Sequence, residues 1–192
     1  MTILLLGLVI FLGTHSARIF AEPQRNAFIA RRGENAWKGL YTLASLAGFA
    51  LIVWGYGVAR QQPTVLWATP VWTRHLAALL TLVSFVLVTA AYVPGNGIKA
   101  RLHHPMVLGV KVWAFAHLLA NNTIADLLLF GGFLAWAVAS FIAARRRDRA
   151  AGTVYPAGGA GKTAATIVVG VALWSVFAFW AHGALIGVRP FG

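Results

Sequence analysis

Six histidines are the residues of this sequence with the clearest capacity for chemistry. They are His15, His75, His103, His104, His117 and His182. An imidazole can bind a metal ion through either ring nitrogen and exchanges a proton near neutral pH. The chain has no cysteine and only four carboxylates, which excludes thiolate-bound zinc and iron–sulfur clusters and disfavours a di-iron centre. Haem iron takes axial histidine readily and fits these donors best.

The histidines lie in or beside six hydrophobic segments. Hydrophobic residues make up 59% of the sequence and charged residues 10%, whereas a soluble domain has about 25% charged residues. The segments cover residues 3–20, 40–58, 71–92, 106–119, 124–144 and 164–188. Each is close to the length of a helix that crosses a hydrocarbon core. We therefore predict an all-α polytopic membrane protein, with a bundle of six transmembrane helices forming one domain over residues 1–192.

Positive charge is concentrated in three alternate loops of this predicted bundle. Eleven of the sixteen Lys and Arg residues lie in residues 21–39, 93–105 and 145–163. The positive-inside rule places these loops in the cytoplasm and both termini on the non-cytoplasmic side. Topology and contact with anionic lipid headgroups then account for the net charge of +12, and nucleic acid is not an expected partner.

The predicted topology sorts the histidines into two tiers. The inner, cytoplasmic tier is His15, His103 and His104, and the outer tier is His75, His117 and His182. His104 and His117 cannot bind one iron, because thirteen helical residues separate them by about 20 Å. A ligand pair must come from different helices at one depth. On the inner tier this pair is His15 with His104 or His103, and on the outer tier it is any two of the three histidines.

Other side chains of the apolar segments suit a porphyrin. The eight Trp and twelve Phe residues can supply apolar walls, and Arg18, just after His15, can pair with a propionate. Lys111 lies near the middle of its segment, where a charge needs a partner or a cavity. Asp126 is one of the few internal counter-ions available.

The segment from His104 to Asn121 resembles the signature of the NnrU family. In that family a His-Pro pair opens a helix, and the residues corresponding to Gly109, Trp113 and the Ala-His-Leu-Leu around His117 follow at this spacing. The stretch from His15 to Arg18 is similar to the family's first-helix motif. The resemblance covers essentially the whole chain.

This resemblance implies a bacterial inner-membrane protein associated with denitrification and with the production of nitrite and nitric oxide reductases. The family is related to plant 15-cis-ζ-carotene isomerase, which uses haem b and has an implied haem ligand at the position matching His15. The other ligand of that relative lies on the helix after its Ala-His-Leu motif. Residues 124–144 of this chain contain no histidine, so for haem bound on the inner tier His104 is the nearest substitute.

The expected cofactor is therefore haem b. The candidate metal ligands are His15, His104 and His117, and the candidate haem-binding residues also include Arg18 and Trp113. The leading hypothesis is a redox or nitric oxide haem protein of the NnrU type. The alternatives are a haem-dependent cis–trans isomerase of a carotenoid or another polyene lipid, and a membrane transporter or haem-handling assembly factor. The expected partners are membrane lipids together with nitric oxide or a lipophilic small molecule, and self-association into a homo-oligomer is left open.

Overall fold

The computed structural model describes residues 1–191, and these residues form helices and no strands. The helices are α1 (Thr2–His15), α2 (Ala17–Phe20), α3 (Glu22–Arg32), α4 (Glu34–Ala59), α5 (Trp72–Tyr92), α6 (Gly97–Leu102), α7 (Pro105–Ala120), α8 (Ile124–Ala151), α9 (Ala160–Val176) and α10 (His182–Ile186). A single π-helical turn, Phe177–Ala181, joins α9 to α10. The prediction of an all-α protein is confirmed.

Four helical stretches are long and apolar enough to cross a membrane. They are α4, α5, α8 and the continuous stretch Ala160–Ile186. Two further apolar helices are shorter, since α1 has 14 residues and α7 has 16, or about 21 and 24 Å against a hydrocarbon core of about 30 Å. The structure thus supports a helical membrane protein and gives four of the six segments the length of a span.

Helix ends differ from the ends of the apolar segments. Residues 21–39, predicted as a loop, contain α3, and α4 begins at Glu34, six residues before the apolar segment at 40. The helix that begins in the apolar segment 124–144 likewise continues beyond it, through four arginines to Ala151. Lys, Arg and Glu are good helix formers, so a helix continues past the point where its hydrophobic residues stop.

The chain forms two compact units. The first contains residues 1–68 and 122–140, and the second contains residues 69–121 and the chain from Phe141 onward. Helix α8 therefore contributes its first part to one unit and its charged end to the other.

Glycines bring α1 and α4 of the first unit into backbone contact. A Cβ added to Gly48 would lie 2.7 Å from the backbone nitrogen of Phe11, and one added to Gly7 would lie 2.6 Å from that of Ile52. Both distances are shorter than a carbon–nitrogen contact allows, so only glycine permits this approach. Small residues that allow close backbone approach are the usual means of packing helices in lipid, where the hydrophobic effect between helices is absent.

A buried carboxylate joins α4 to the start of α8 in the same unit. Asp126 is 6% exposed, and its Oδ1 accepts a hydrogen bond from the Tyr56 hydroxyl at 2.5 Å. Its Oδ2 accepts from the backbone N–H and the hydroxyl of Thr123, at 3.0 and 2.6 Å. Asp126 thus caps the N-terminus of α8.

Replacing Tyr56 with phenylalanine should lower the free energy of unfolding by about 1–3 kcal/mol, because it removes one donor from a buried carboxylate. The measurement is unfolding of the purified protein in mixed micelles, followed by circular dichroism. Tyr92→Phe is the matched control, since Tyr92 is 74% exposed and makes no hydrogen bond within residues 1–191. Equal losses in the two variants would show that the hydrogen bond to Asp126 contributes nothing to stability.

In the second unit α5 packs against α7 and α9. The Ser84 hydroxyl of α5 donates to the Gly109 carbonyl of α7 at 2.8 Å, and the Trp174 indole N–H of α9 donates to the Thr81 hydroxyl of α5 at 3.1 Å. These polar contacts lie within apolar helices, where each donor satisfied by a neighbouring helix avoids an unpaired polar group in lipid.

Candidate functional site

His15 is the last residue of α1, and its ring is held in one orientation by its own helix. The Nδ1–H of His15 donates to the backbone carbonyl of Phe11, one turn earlier, at 2.7 Å. Because a carbonyl only accepts, this bond requires a proton on Nδ1, and in the neutral ring the lone pair is then on Nε2. Nε2 has no hydrogen-bond partner within the described residues. This is the state in which an imidazole binds a metal, with the second nitrogen oriented by a backbone carbonyl.

Aromatic rings from three helices surround the half-buried His15 imidazole. Phe11 stacks on it with 4.1 Å between ring centroids. Tyr41 of α4 lies 5.1 Å away, and Trp136 of α8 presents an edge-on contact at 6.0 Å. These rings restrict the imidazole and reduce the access of water to it.

The Trp136 indole nitrogen is buried without a hydrogen bond in the described part of the chain. The Ser45 hydroxyl is buried as well, but it lies one turn along α4 from Tyr41 and interacts with the Tyr41 hydroxyl. A buried polar group without a partner is unfavourable by about 1–3 kcal/mol, and such groups in native proteins are few. The Trp136 N–H, on a helix that flanks His15, is therefore suited to donate to a ligand.

His103 and His104 belong to a polar cluster in the second unit. The His104 Nε2–H donates to Asp148 Oδ2 at 2.7 Å, and the Tyr155 hydroxyl donates to the same oxygen at 3.1 Å. The His103 ring stacks on Tyr155 with centroids 4.1 Å apart and accepts a hydrogen bond from Arg145. Because Nε2 of His104 is paired with a carboxylate, only its Nδ1 is left for a metal.

Comparison with known proteins identifies the family. The sequence model of the NnrU protein family matches residues 3–190. The chain belongs to the NnrU family. No curated protein and no solved structure matches it.

The NnrU motif of α7 places Trp113 against His117. The Nδ1–H of His117 donates to the Trp113 carbonyl at 2.8 Å, and the two rings lie 5.0 Å apart. The Asn121 side chain closes the helix by donating to the His117 carbonyl at 2.8 Å. His117 is therefore fixed by its backbone in the same way as His15, at the end of α7 opposite to His104.

The remaining predicted site residues are distributed over both units. In the first unit Arg18 forms an ion pair with Glu22 at 3.5 Å, in which both side chains are partly exposed. In the second unit the His182 Nδ1–H donates to the Val188 carbonyl at 2.6 Å, while His75 is exposed. Within residues 1–191 there is no group of three or more His, Asp or Glu that could hold a metal ion. A haem iron needs one or two protein ligands.

The structure brings some of the predicted residues together and leaves others apart. Trp113 and His117 are in contact, whereas His104 lies at the other end of α7 from both. His15 and Arg18 belong to the first unit, and the other three candidates belong to the second.

Sequence reasoning missed Tyr41, Ser45 and Trp136 around His15. For α4 a signal exists, because Tyr41, Ser45 and Gly48 follow the alternating spacing of four and three residues that marks one helix face. For Trp136 no local signal exists, since it lies on another helix far along the chain.

Proposed function

We propose that this NnrU-family protein is a b-type haem protein of the bacterial inner membrane that acts in denitrification, with His15 as a ligand of the iron. The observation that carries the proposal is the His15 imidazole, whose Nδ1 is held by the Phe11 carbonyl and whose Nε2 has no partner within the described residues. Metal-binding histidines usually donate their other ring N–H to a carbonyl or carboxylate in this way.

The residues around His15 fit a haem. Phe11, Tyr41 and Trp136 offer the apolar and aromatic surface that a porphyrin plane requires. The Trp136 indole N–H, which is buried without a partner in the described residues, can donate to a polar group at the porphyrin edge. A ligand with a polar edge explains this buried donor better than apolar packing alone.

Arg18 is the candidate partner of a haem propionate. Its guanidinium lies three residues beyond His15 and pairs with Glu22 in a partly exposed ion pair. Exposed pairs of this kind are weak, at about 0–1 kcal/mol, so exchange of Glu22 for a propionate is energetically easy.

The protein's own groups determine how the bound iron behaves. The Phe11 carbonyl makes Nε2 of His15 a stronger donor to the metal, because it draws the Nδ1 proton toward itself. The aromatic rings reduce the access of water and so lower the local dielectric. A bound haem would supply an iron that changes oxidation state and binds diatomic gases such as nitric oxide, which suits a protein that supports nitrite and nitric oxide reductases.

His117 and His104 are the further candidate ligands. His117 is oriented by the Trp113 carbonyl just as His15 is oriented by Phe11, and this favours it as a ligand. His104 can serve only through Nδ1 while Asp148 holds its Nε2.

The proposed setting is a bundle of six transmembrane helices with both termini outside the cytoplasm. Two observations support this arrangement. Besides the four long helices there are two shorter apolar helices, α1 and α7. The three basic segments alternate with the remaining loops along the chain.

A second candidate function is haem-dependent cis–trans isomerisation of a carotenoid or another polyene lipid. The aromatic character of the His15 surroundings favours it, since aromatic rings stack well on a conjugated chain. Incubation of the haem-loaded protein with a cis-carotenoid, followed by chromatographic separation of the isomers, tests this function. An unchanged isomer profile would eliminate it without affecting the haem proposal.

The absorption spectrum of the purified protein tests the proposed function directly. The full chain, expressed with a haem supply and purified in a mild detergent, should show a Soret band and, on reduction, the visible bands of haem b. Nitric oxide added to the reduced protein should shift the Soret band. A protein that is folded by circular dichroism but shows no Soret band would refute haem binding.

A further inference from the structure

A cavity of about 170 Å³ lies at the charged end of α8 in the second unit. It is lined by His103, Arg145, Asp148, Arg149, Gly152 and Thr153. The cavity directly follows the apolar part of the helix. A position just beyond the hydrophobic part of a spanning helix is the depth of the lipid headgroups.

The one carboxylate in the wall is already neutralised by its neighbours. Asp148 accepts hydrogen bonds from His104 at 2.7 Å and from Tyr155 at 3.1 Å, and Arg145 lies 3.9 Å away. Burial, the hydrogen bond to Asp148 and the charge of Asp148 raise the pKa of Tyr155, so its hydroxyl stays protonated and keeps donating. The negative charge of Asp148 is thus compensated by groups of the cluster itself.

Cationic groups of the wall remain available to a ligand. Arg149 is exposed and forms no ion pair or hydrogen bond within residues 1–191. The Thr153 hydroxyl likewise has no hydrogen bond there. Arg145 lies on the same wall, and although its NH1 is engaged with His103 and lies near Asp148, a guanidinium has further N–H donors. Together with Arg149 and the Thr153 hydroxyl, these donors suit the tetrahedral oxygens of phosphate.

The backbone of this wall is strained. His103 has φ of +66°, the only positive φ among the described non-glycine residues. Such a conformation is unfavourable by about 1–3 kcal/mol and persists where surrounding contacts impose it. Here the stacking on Tyr155 and the hydrogen bond from Arg145 hold the imidazole in the cavity wall.

We propose that this cavity binds the phosphate group of an anionic ligand, with Arg149 as its principal contact and the remaining N–H groups of Arg145 as a second. A membrane phospholipid headgroup and free inorganic phosphate share this chemistry. The site is separate from the His15 surroundings and does not depend on haem.

Binding of short-chain phosphatidylglycerol to the full-length protein in neutral detergent tests the proposal, with native mass spectrometry as the readout. Arg149→Gln should weaken binding about fivefold, since it removes a charge-assisted contact at a partly hydrated site. Arg146→Gln is the matched control, because Arg146 is on the same helix, is also exposed and has no partner within residues 1–191, yet does not line the cavity. It should change the affinity less than twofold.

Inorganic phosphate at constant ionic strength, with chloride as the balancing salt, distinguishes the two sources. If phosphate displaces the lipid from the wild-type protein but not from Arg149→Gln, the site takes free phosphate as well as lipid. Lipid binding that depends on Arg149 without such competition supports the headgroup as the ligand. Equal affinities of the wild-type, Arg149→Gln and Arg146→Gln proteins, or equal losses in both variants, would overturn the proposal.

Discussion

His15→Ala should lower the Soret absorbance of the purified protein at least about tenfold, whereas His75→Ala should leave it unchanged. The expected loss is large because Nε2 of His15 is the proposed donor to the iron, and even the groups that only orient a metal ligand contribute about 10–100-fold to affinity. His75 is exposed at the start of α5 and has no comparable backbone orientation. The measurement is the Soret absorbance per mole of protein after expression with a haem supply.

The control for this prediction is chemical rescue. His15→Gly opens room for added imidazole, which should restore the band if the ring itself is the missing ligand. Circular dichroism separates loss of the ligand from loss of the fold. A Soret band of wild-type intensity and position in folded His15→Ala protein would exclude His15 as the ligand, and attention would then move to His117.

Gly48→Ala should destabilise the protein by about 1–3 kcal/mol, the usual range for overpacking a well-packed contact. The added Cβ would lie 2.7 Å from the Phe11 nitrogen, and backbone cannot rotate away as a flexible side chain can. The same shift would displace the Phe11 carbonyl that orients His15, so haem affinity should fall along with stability. Unfolding in mixed micelles and the Soret absorbance measure the two effects.

Gly57→Ala on the same helix is the matched control. Gly57 is exposed, and a Cβ there meets nothing within 4 Å. Alanine should therefore be neutral or stabilising by up to about 1 kcal/mol, because glycine is the poorer helix former. If both variants behaved alike, the close approach of α1 and α4 would not be a source of stability.

The sequence predicted the helical membrane class and the position of the apolar segments, because both depend on composition and on runs of residues. It did not predict the helix ends. Glu34 and Ala151 lie in charged stretches that carry no hydrophobic periodicity, and helix propensity alone decides whether such a stretch is helical.

The candidate site could be predicted only in part. His15 was singled out as a candidate because an ionisable residue in an apolar segment is conspicuous. The pairing of His104 with Asp148 could not be found, since the two residues are 44 positions apart and only tertiary packing brings them together. Asp126 was expected to balance a charge, but its partners are the hydroxyls of Tyr56 and Thr123 and a backbone N–H.

The glycine contact between α1 and α4 also affects how the protein responds to its membrane. Where the contact between two helices is made by backbone atoms, no side-chain rotamers are immobilised. Little side-chain entropy is therefore lost when α1 and α4 associate. Helix α1, with 14 residues, is short for a bilayer and would ordinarily adjust its tilt or depth to the lipid around it. Bound to α4 along its length, it takes its position from a helix of 26 residues. We therefore expect the position of His15 relative to α4 to change little between thin and thick membranes.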